Sequence, residues 1–257
     1  MRIVIKVGTS TLTHQSGNLN IKRMEDFCKI LADLKNAGHE IILVSSGAIA
    51  MGVGKLPITK KPDDIPGKQA CAAVGQCELM YTYDKLFGEY NHTVAQLLMT
   101  ASDFQKEKRL RNFINTMERL LDMGVLPIIN ENDTISVDEI KIGDNDTMGA
   151  IVAENCQAEL LIILTDIDGL YTADPRKDPD ARLVPVVEKI TPELEASAGG
   201  SGTERGTGGM ATKIKAAKIA TEAGINTVII NGDRPQALYD VVEGNSFTGT
   251  TFLAERN

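Results

Sequence analysis

Residues 125–146 read VLPIINENDTISVDEIKIGDND, and the way this stretch changes character decides how the chain is built. Val125 to Ile129 is an apolar run of the length expected for a buried strand. From Ile129 to Asp146 there follow six carboxylates (Glu131, Asp133, Asp138, Glu139, Asp144, Asp146), three asparagines (Asn130, Asn132, Asn145) and one lysine, Lys141. Polar groups therefore gather just past the carboxyl end of a strand, which is where ligands bind in an open α/β sheet. The alternating segment Ile135–Ile142 (ISVDEIKI) predicts a short hairpin folding back over that end. Carboxylates and amides crowded on irregular backbone suit a small ligand with a positive group, such as an ammonium, or a metal. The alternative is an acidic surface loop.

The same alternation of apolar runs and helical patterns extends in both directions. Arg2–Val7 (RIVIKV) reads as a buried strand ending in Gly8-Thr9-Ser10. A helix follows over Ile21–Ala37, with Ile21, Met24, Phe27, Cys28, Leu31 and Leu34 recurring at helical spacing, Asn20 to cap its start and Gly38 to end it. Glu40–Val44 is a second strand, ending in Ser45-Ser46-Gly47-Ala48. Residues 55–67 form a Pro- and Lys-rich loop, and Lys68–Phe87 a long helix. Thr93–Met99 is a strand, Asp103–Met123 a helix, and Asp146 opens another helix to about Cys156. Leu160–Leu164 is the most apolar strand. Beyond the glycine-rich residues 199–209 come a helix at Met210–Ala223, a strand at Thr227–Ile230, a helix at Pro235–Val242 and a strand near Thr250–Leu253. Strands alternating with helices predict a three-layer αβα sandwich, α/β in class, around a mostly parallel sheet. No internal repeat or long linker divides it.

Composition narrows the function. The 257 residues are 42% hydrophobic and 24% charged, enough for a sizeable core and too apolar for disorder. A net charge of −8 argues against nucleic acid and anionic membrane as partners. The cysteines (Cys28, Cys71, Cys77, Cys156) form no C-x-x-C pair and have no histidine cluster beside them, so zinc is not expected. They read as reduced core thiols in a cytoplasmic protein. No signal peptide is expected, and no apolar run approaches about 18 residues.

Three small or glycine turns, Gly8-Thr9-Ser10, Ser46-Gly47-Ala48 and the 199–209 loop, together suggest a polyphosphate ligand. Bare backbone N–H groups at a helix start bind anions, and glycine lets a phosphate approach closely. Lys6 and Lys213 stand beside two of these turns. Neither G-x-x-x-x-G-K-[ST] nor G-x-G-x-x-G occurs. Lys6 interrupts an apolar strand, which is costly unless its ammonium reaches a partner or, from an edge strand, water. Lys213 falls in the first turn of a helix, where the macrodipole disfavours a cation unless an anion is bound; a solvated lysine is the alternative.

Together these blocks resemble the amino acid kinase family, in its glutamate 5-kinase branch. The blocks are Lys6-Val-Gly-Thr-Ser10, Val44-Ser-Ser-Gly-Ala48, Ala73-Val-Gly-Gln76, Asn130-Glu-Asn-Asp133, Lys141-Ile-Gly-Asp-Asn-Asp146, Leu164-Thr-Asp166, Gly169-Leu-Tyr-Thr-Ala-Asp-Pro-Arg176 and Gly206-Thr-Gly-Gly-Met210 through Lys213. The resemblance implies ATP and L-glutamate as substrates, magnesium carried on ATP and no metal site of the protein's own. It implies that Lys6, Gly8 and Gly47 hold the phosphates and the transferred group, with Lys213 reaching them from the ATP side. Asp146 would orient both lysines. Ser46, Asp133, Asn132 and Asn145 would bind glutamate, Asp133 at its ammonium and Asn132 or Asn145 at its α-carboxylate. Thr165, Asp166, Thr207, Gly208, Gly209 and Met210 would hold ATP.

The resemblance further implies a single domain over residues 1–257, with a glutamate lobe to about 160 and an ATP lobe beyond. The chain looks like the family's short form, without the C-terminal domain shared with RNA-modifying proteins. A homo-oligomer, proline as feedback inhibitor and a reductase that takes the product are the implied partners. The alternatives are a carboxylate kinase of the same fold acting on acetylglutamate or aspartate, and a silent nucleotide or amino-acid sensor.

Overall fold

The computed structural model describes residues 1–14, 16–58, 60–136, 145–197 and 209–255. Eight strands form one sheet: β1 (Arg2–Val7), β2 (Glu40–Ser45), β3 (Val94–Met99), β4 (Leu126–Glu131), β5 (Leu160–Thr165), β6 (Val186–Val187), β7 (Asn226–Asn231) and β8 (Gly249–Phe252). Their spatial order is β3-β4-β2-β1-β5-β7-β8-β6. All neighbours pair in parallel except β7 with β8. The helices are α1 (Thr9–Leu12), α2 (Ile21–Asn36), α3 (Ala48–Lys55), α4 (Ile65–Gly88), α5 (Ala101–Phe104), α6 (Glu107–Asp122), α7 (Asn145–Asn155), α8 (Pro192–Ser197), α9 (Met210–Glu222) and α10 (Ala237–Glu243).

Successive side chains of a strand point to opposite faces, and the two apolar cores record that alternation. Val4, Ile42, Val44, Ile129, Leu161 and Ile163 face a core completed by α6, α7 and α9. Ile3, Ile5, Leu43, Ile128, Ile162 and Leu164 face the opposite core, under α2, α4 and α10. This is the expected three-layer sandwich. Lys6 falls in register with Val4 and so points toward α7 and α9. Asn130 falls in register with Ile128 and so points toward α4. The placement of both functional faces is thus set by strand parity alone.

Local signals behave as their chemistry dictates. Asn20 caps α2 by accepting from Arg23 N, and Gly38 takes φ +92° just past its end. Helix α4 begins with Asp64 as its cap, three residues earlier than the apolar pattern suggests. The single helix expected over Asp103–Met123 is instead two, α5 and α6. Asp103 is the reason: its carboxylate closes a capping box on Thr100 and also takes Arg109, which ties α5 into one turn. Short α3, absent from the sequence reading, packs on α4 through glycines. A Cβ on Gly52 would lie 1.9 Å from Cys71 O, and one on Gly75 would lie 1.8 Å from Ala48 O. Cys28, Cys71 and Cys156 are buried thiols, but Cys77 is exposed, because it lies on the outer face of α4. The expected hairpin at Ile135–Ile142 lies largely outside the described residues.

Candidate active site

The carboxyl ends of β1 and β5 flank the point where the chain's connections diverge, β1 leading to β2 on one side and β5 to β6, and from there to β7, on the other. Open α/β sheets form their ligand crevice at such a point. Lys6 reaches into it from β1. The strand is central, so an edge lysine in water is ruled out; Lys6 is only 7% exposed.

Its partner is Asp146, in the first turn of α7. Lys6 Nζ lies 2.6 Å from Asp146 Oδ1. Lys213 Nζ, from the first turn of α9, lies 3.0 Å from Oδ2 of the same carboxylate. Thr212 Oγ1 donates to Oδ2 as well, at 3.0 Å. Burial alone would raise the carboxyl's pKa. The charges of Lys6 and Lys213, with their hydrogen bonds, overcome this and hold it at about 2. Asp146 at a helix N-terminus is also favoured by the macrodipole. Two ammonium groups are thereby fixed on either side of one carboxylate, leaving the group a net charge of one positive. The solvated-lysine alternative for Lys213 fails, since it is 5% exposed.

The space in front of Lys6 is kept open by glycine. A Cβ on Gly8 would lie 3.6 Å from Lys6 Nζ and 3.9 Å from Ser10 Oγ. Gly149 of α7 lets the helix rest on the lysine stem, where an added Cβ would meet Lys6 Cβ at 3.4 Å. Gly47 adopts φ +110° as the cap of α3, a conformation a β-carbon disfavours.

A second group of polar residues joins the ends of β2, β4 and α7. Asn145 Nδ2 donates to Ser46 Oγ at 2.8 Å and to Asn130 Oδ1 at 2.9 Å. Asp133, two residues past β4, is buried, and no hydrogen bond among the described residues reaches its Oδ1. Burial pushes its carboxyl up to about 6. Among the described residues no salt bridge reaches this carboxylate, so burial acts on it unopposed. Asn132 differs: its side chain accepts from Thr134 Oγ1 and its backbone carbonyl from Ile135 and Ser136, so it organises its own turn.

Thr165 ends β5, buried, with its hydroxyl donating to Asp166, whose side chain is exposed at the rim. Gly209 caps α9 and Met210 begins it. Thr207 and Gly208 lie outside the described residues, as does Lys141. Three contacting residues were not singled out from sequence as site residues: Asn130, Thr212 and Gln76, whose Oε1 accepts from Asn130 Nδ2 at 2.8 Å. All three lie within the motif blocks but give no local signal of a role. Among the described residues no group of three or more His, Cys, Asp or Glu is placed to hold a metal ion.

Residues 1–231 match the model of the amino acid kinase family. The chain is 51% identical to glutamate 5-kinase of Clostridium perfringens, over 99% of this chain and 96% of that one. It is 56% identical to glutamate 5-kinase of Clostridium tetani, over 98% and 94%. Glutamate 5-kinase of Caldanaerobacter subterraneus is 54% identical over all of this chain and 69% of its own length. Among solved structures, carbamate kinase from Giardia lamblia bound to AMP-PNP is similar with a TM-score of 0.67 at 16% identity, covering 99% and 98%. UMP kinase from Ureaplasma parvum is similar with a TM-score of 0.64 at 17% identity, covering 98% of each chain. At such identities the structures speak for the fold alone.

Proposed function

The chain belongs to the amino acid kinase family, and on that premise we propose that it transfers the γ-phosphoryl group of ATP to the side-chain carboxylate of L-glutamate. The products are L-glutamate 5-phosphate and ADP, the first step of proline biosynthesis. The observation that carries the reading is the Lys6–Asp146–Lys213 bridge at the mouth of β1, joined to full-length relatives that are glutamate 5-kinases.

A glutamate side chain has an unperturbed pKa of about 4.3, so the nucleophile is ionised at neutral pH. No general base is needed. A carboxylate oxygen bonds to the γ-phosphorus while the bond from that phosphorus to the bridging oxygen breaks, and ADP leaves with the electron pair. The difficulty is bringing two anions together, so catalysis rests on alignment and charge neutralisation. Lys6, beside Gly8, faces the transferred group. Lys213 approaches from α9 and meets the phosphates on the ATP side. Asp146 holds both ammonium groups in place, so neither reorganises as charge moves. ATP enters as its magnesium complex, with the ion riding on the phosphates.

Asp133 supplies the missing anion for glutamate's ammonium, which accounts for its unmet oxygen. Ser46 and Gly47 line the acceptor side, and Thr165, Asp166 and residues 207–210 the ATP side. Residues to about 160 thus serve glutamate, and those beyond serve ATP. Free buried thiols and the absence of a membrane-crossing helix among the described residues are compatible with a cytoplasmic enzyme. The unpaired outer edge of β3 among the described residues offers a place for a second copy. The acyl phosphate product is labile, which favours direct use by a reductase, and proline closes the loop as feedback inhibitor.

The test is ADP release from magnesium-ATP with glutamate, acetylglutamate and aspartate offered separately. Glutamate-dependent release is expected. Activity with acetylglutamate or aspartate instead would keep the fold and overturn the substrate. Binding of ATP and glutamate without ADP release would indicate a sensor.

A further inference from the structure

Four side-chain amides form a chain leading to the glutamate side of the crevice. Gln96 Oε1, exposed on β3, accepts from Gln76 Nε2 of α4 at 3.2 Å. Gln76 Oε1 accepts from Asn130 Nδ2 at 2.8 Å, and Asn130 Oδ1 accepts from Asn145 Nδ2 at 2.9 Å. An amide has a donor end and an acceptor end, so only groups that cannot reverse fix which way such a chain runs. Two do so here. The backbone N–H of Glu131 donates to Asn130 Oδ1 at 2.9 Å, and the Ser45 carbonyl accepts from Asn145 Nδ2 at 3.4 Å. Every amide in the row therefore points the same way.

That polarity has a consequence at the end of the row. Both N–H bonds of Asn145 are committed, to Ser46 Oγ and Asn130 Oδ1, with Ser45 O as a third contact. None remains for an anion. What remains is Asn145 Oδ1, a buried acceptor with no hydrogen-bond partner among the described residues. Asp133 Oδ1 is in the same position. Two unmet buried acceptors call for a ligand rich in donors, since leaving them unmet is costly. An ammonium has three N–H donors and no acceptor.

Resting on the glutamate reading of the site, we infer that Gln76 is a positioning residue for recognition of the substrate's ammonium. It touches no substrate. It holds Asn130, and through it Asn145, with the Asn145 carbonyl oxygen left free to share the ammonium with Asp133. Asn145 thus takes the ammonium and not the α-carboxylate that the sequence reading allowed it. Without an acceptor at position 76, a reversed Asn130 that gives up the Glu131 N–H bond competes with the present arrangement. Asn145 then turns a donor toward a cation.

The test compares kcat/KM for glutamate with that for glutarate, which keeps both carboxylates and lacks the ammonium. Gln76→Met lowers the glutamate-over-glutarate ratio about tenfold, the scale of one hydrogen bond to a charged group. Gln76→Glu keeps an acceptor for Asn130 Nδ2 and leaves the ratio at the wild-type value. Gln96→Met, at an exposed position, lowers it about twofold to threefold and carries the test if Gln76→Met does not fold. A Gln76→Met enzyme that loses both activities equally, with the ratio unchanged, overturns the inference and leaves a structural role. A wild-type enzyme that releases no ADP with glutamate overturns the glutamate reading, and this inference with it.

Discussion

Lys6 Nζ and Asp146 Oδ1 stand 2.6 Å apart although one comes from the central strand and the other from a helix more than half the chain away in sequence. The contact explains how a strand otherwise made of buried apolar residues tolerates an ammonium. It also makes Asp146 a positioning residue for both lysines. Asp146→Asn leaves two buried cations facing a neutral amide. Such a loss costs about 3–5 kcal/mol of stability and, through misplaced charge at the phosphates, about a hundredfold in kcat. Thermal unfolding and steady-state kinetics on the same sample check both. Normal turnover would remove the bridge from the mechanism.

Lys6→Ala and Asp133→Ala separate the two halves of the crevice. The first collapses kcat, because the transferred group loses its cation, while the glutamate KM changes little. The second raises the glutamate KM strongly and leaves the ATP KM near its starting value. An Asp133→Ala enzyme with an unchanged glutamate KM would sink the assignment of Asp133 to the ammonium.

Acid pH exposes Asp133 in a second way. With its carboxyl raised to about 6 in the free enzyme, the form that attracts an ammonium disappears as pH falls through that value. The profile of kcat/KM for glutamate therefore has an acid limb near pH 6, well above the substrate's own carboxyl, and Asp133→Asn lacks it. The sign for stability is the reverse of the usual carboxylate. Between about pH 4 and 6 the native state holds a proton that the unfolded state has released, so this group's contribution falls as pH rises. Above pH 6 the cost is complete, and Asp133→Asn stabilises the ligand-free protein there by about 1–2 kcal/mol. Asp146 behaves oppositely: depressed to about 2, it stabilises above about pH 4 and loses that contribution as pH falls toward 2. Chemical denaturation across this range reads both slopes.

Gly75→Ala drives a methyl to 1.8 Å from Ala48 O, forcing α3 away from α4. The predicted loss is about 3 kcal/mol or more. Gly88, at the end of the same helix, has nothing within 4 Å of an added Cβ. Gly88→Ala is expected to be neutral or to stabilise by up to about 1 kcal/mol. Equal melting temperatures for the two variants would contradict this packing account.

Much of this was legible from residue pattern. Parity along RIVIKV places Lys6 opposite Ile5, and Asn20 and Gly38 mark the ends of α2 as expected. The lysine pair and Asp146 were legible as costly residues in costly places. Thr212 and Gln76 were not. Gln76 sits on a helix whose face toward β4 is decided by tertiary packing, and a half-buried glutamine carries no strain that sequence alone displays. Helix α3 escaped notice because AIAMGVGK is too short and too glycine-rich to show a helical stripe. The break between α5 and α6 escaped because a capping box inside an amphipathic run looks like ordinary surface polarity.

In the proposed reaction a side-chain carboxylate of glutamate receives the phosphoryl group. Hydroxylamine converts an acyl phosphate to a hydroxamate, so the decisive measurement is hydroxamate formed per ADP released with magnesium-ATP and glutamate. One hydroxamate is expected for each ADP, and neither without glutamate. ADP release without hydroxamate, or hydroxamate with acetylglutamate and none with glutamate, would contradict it.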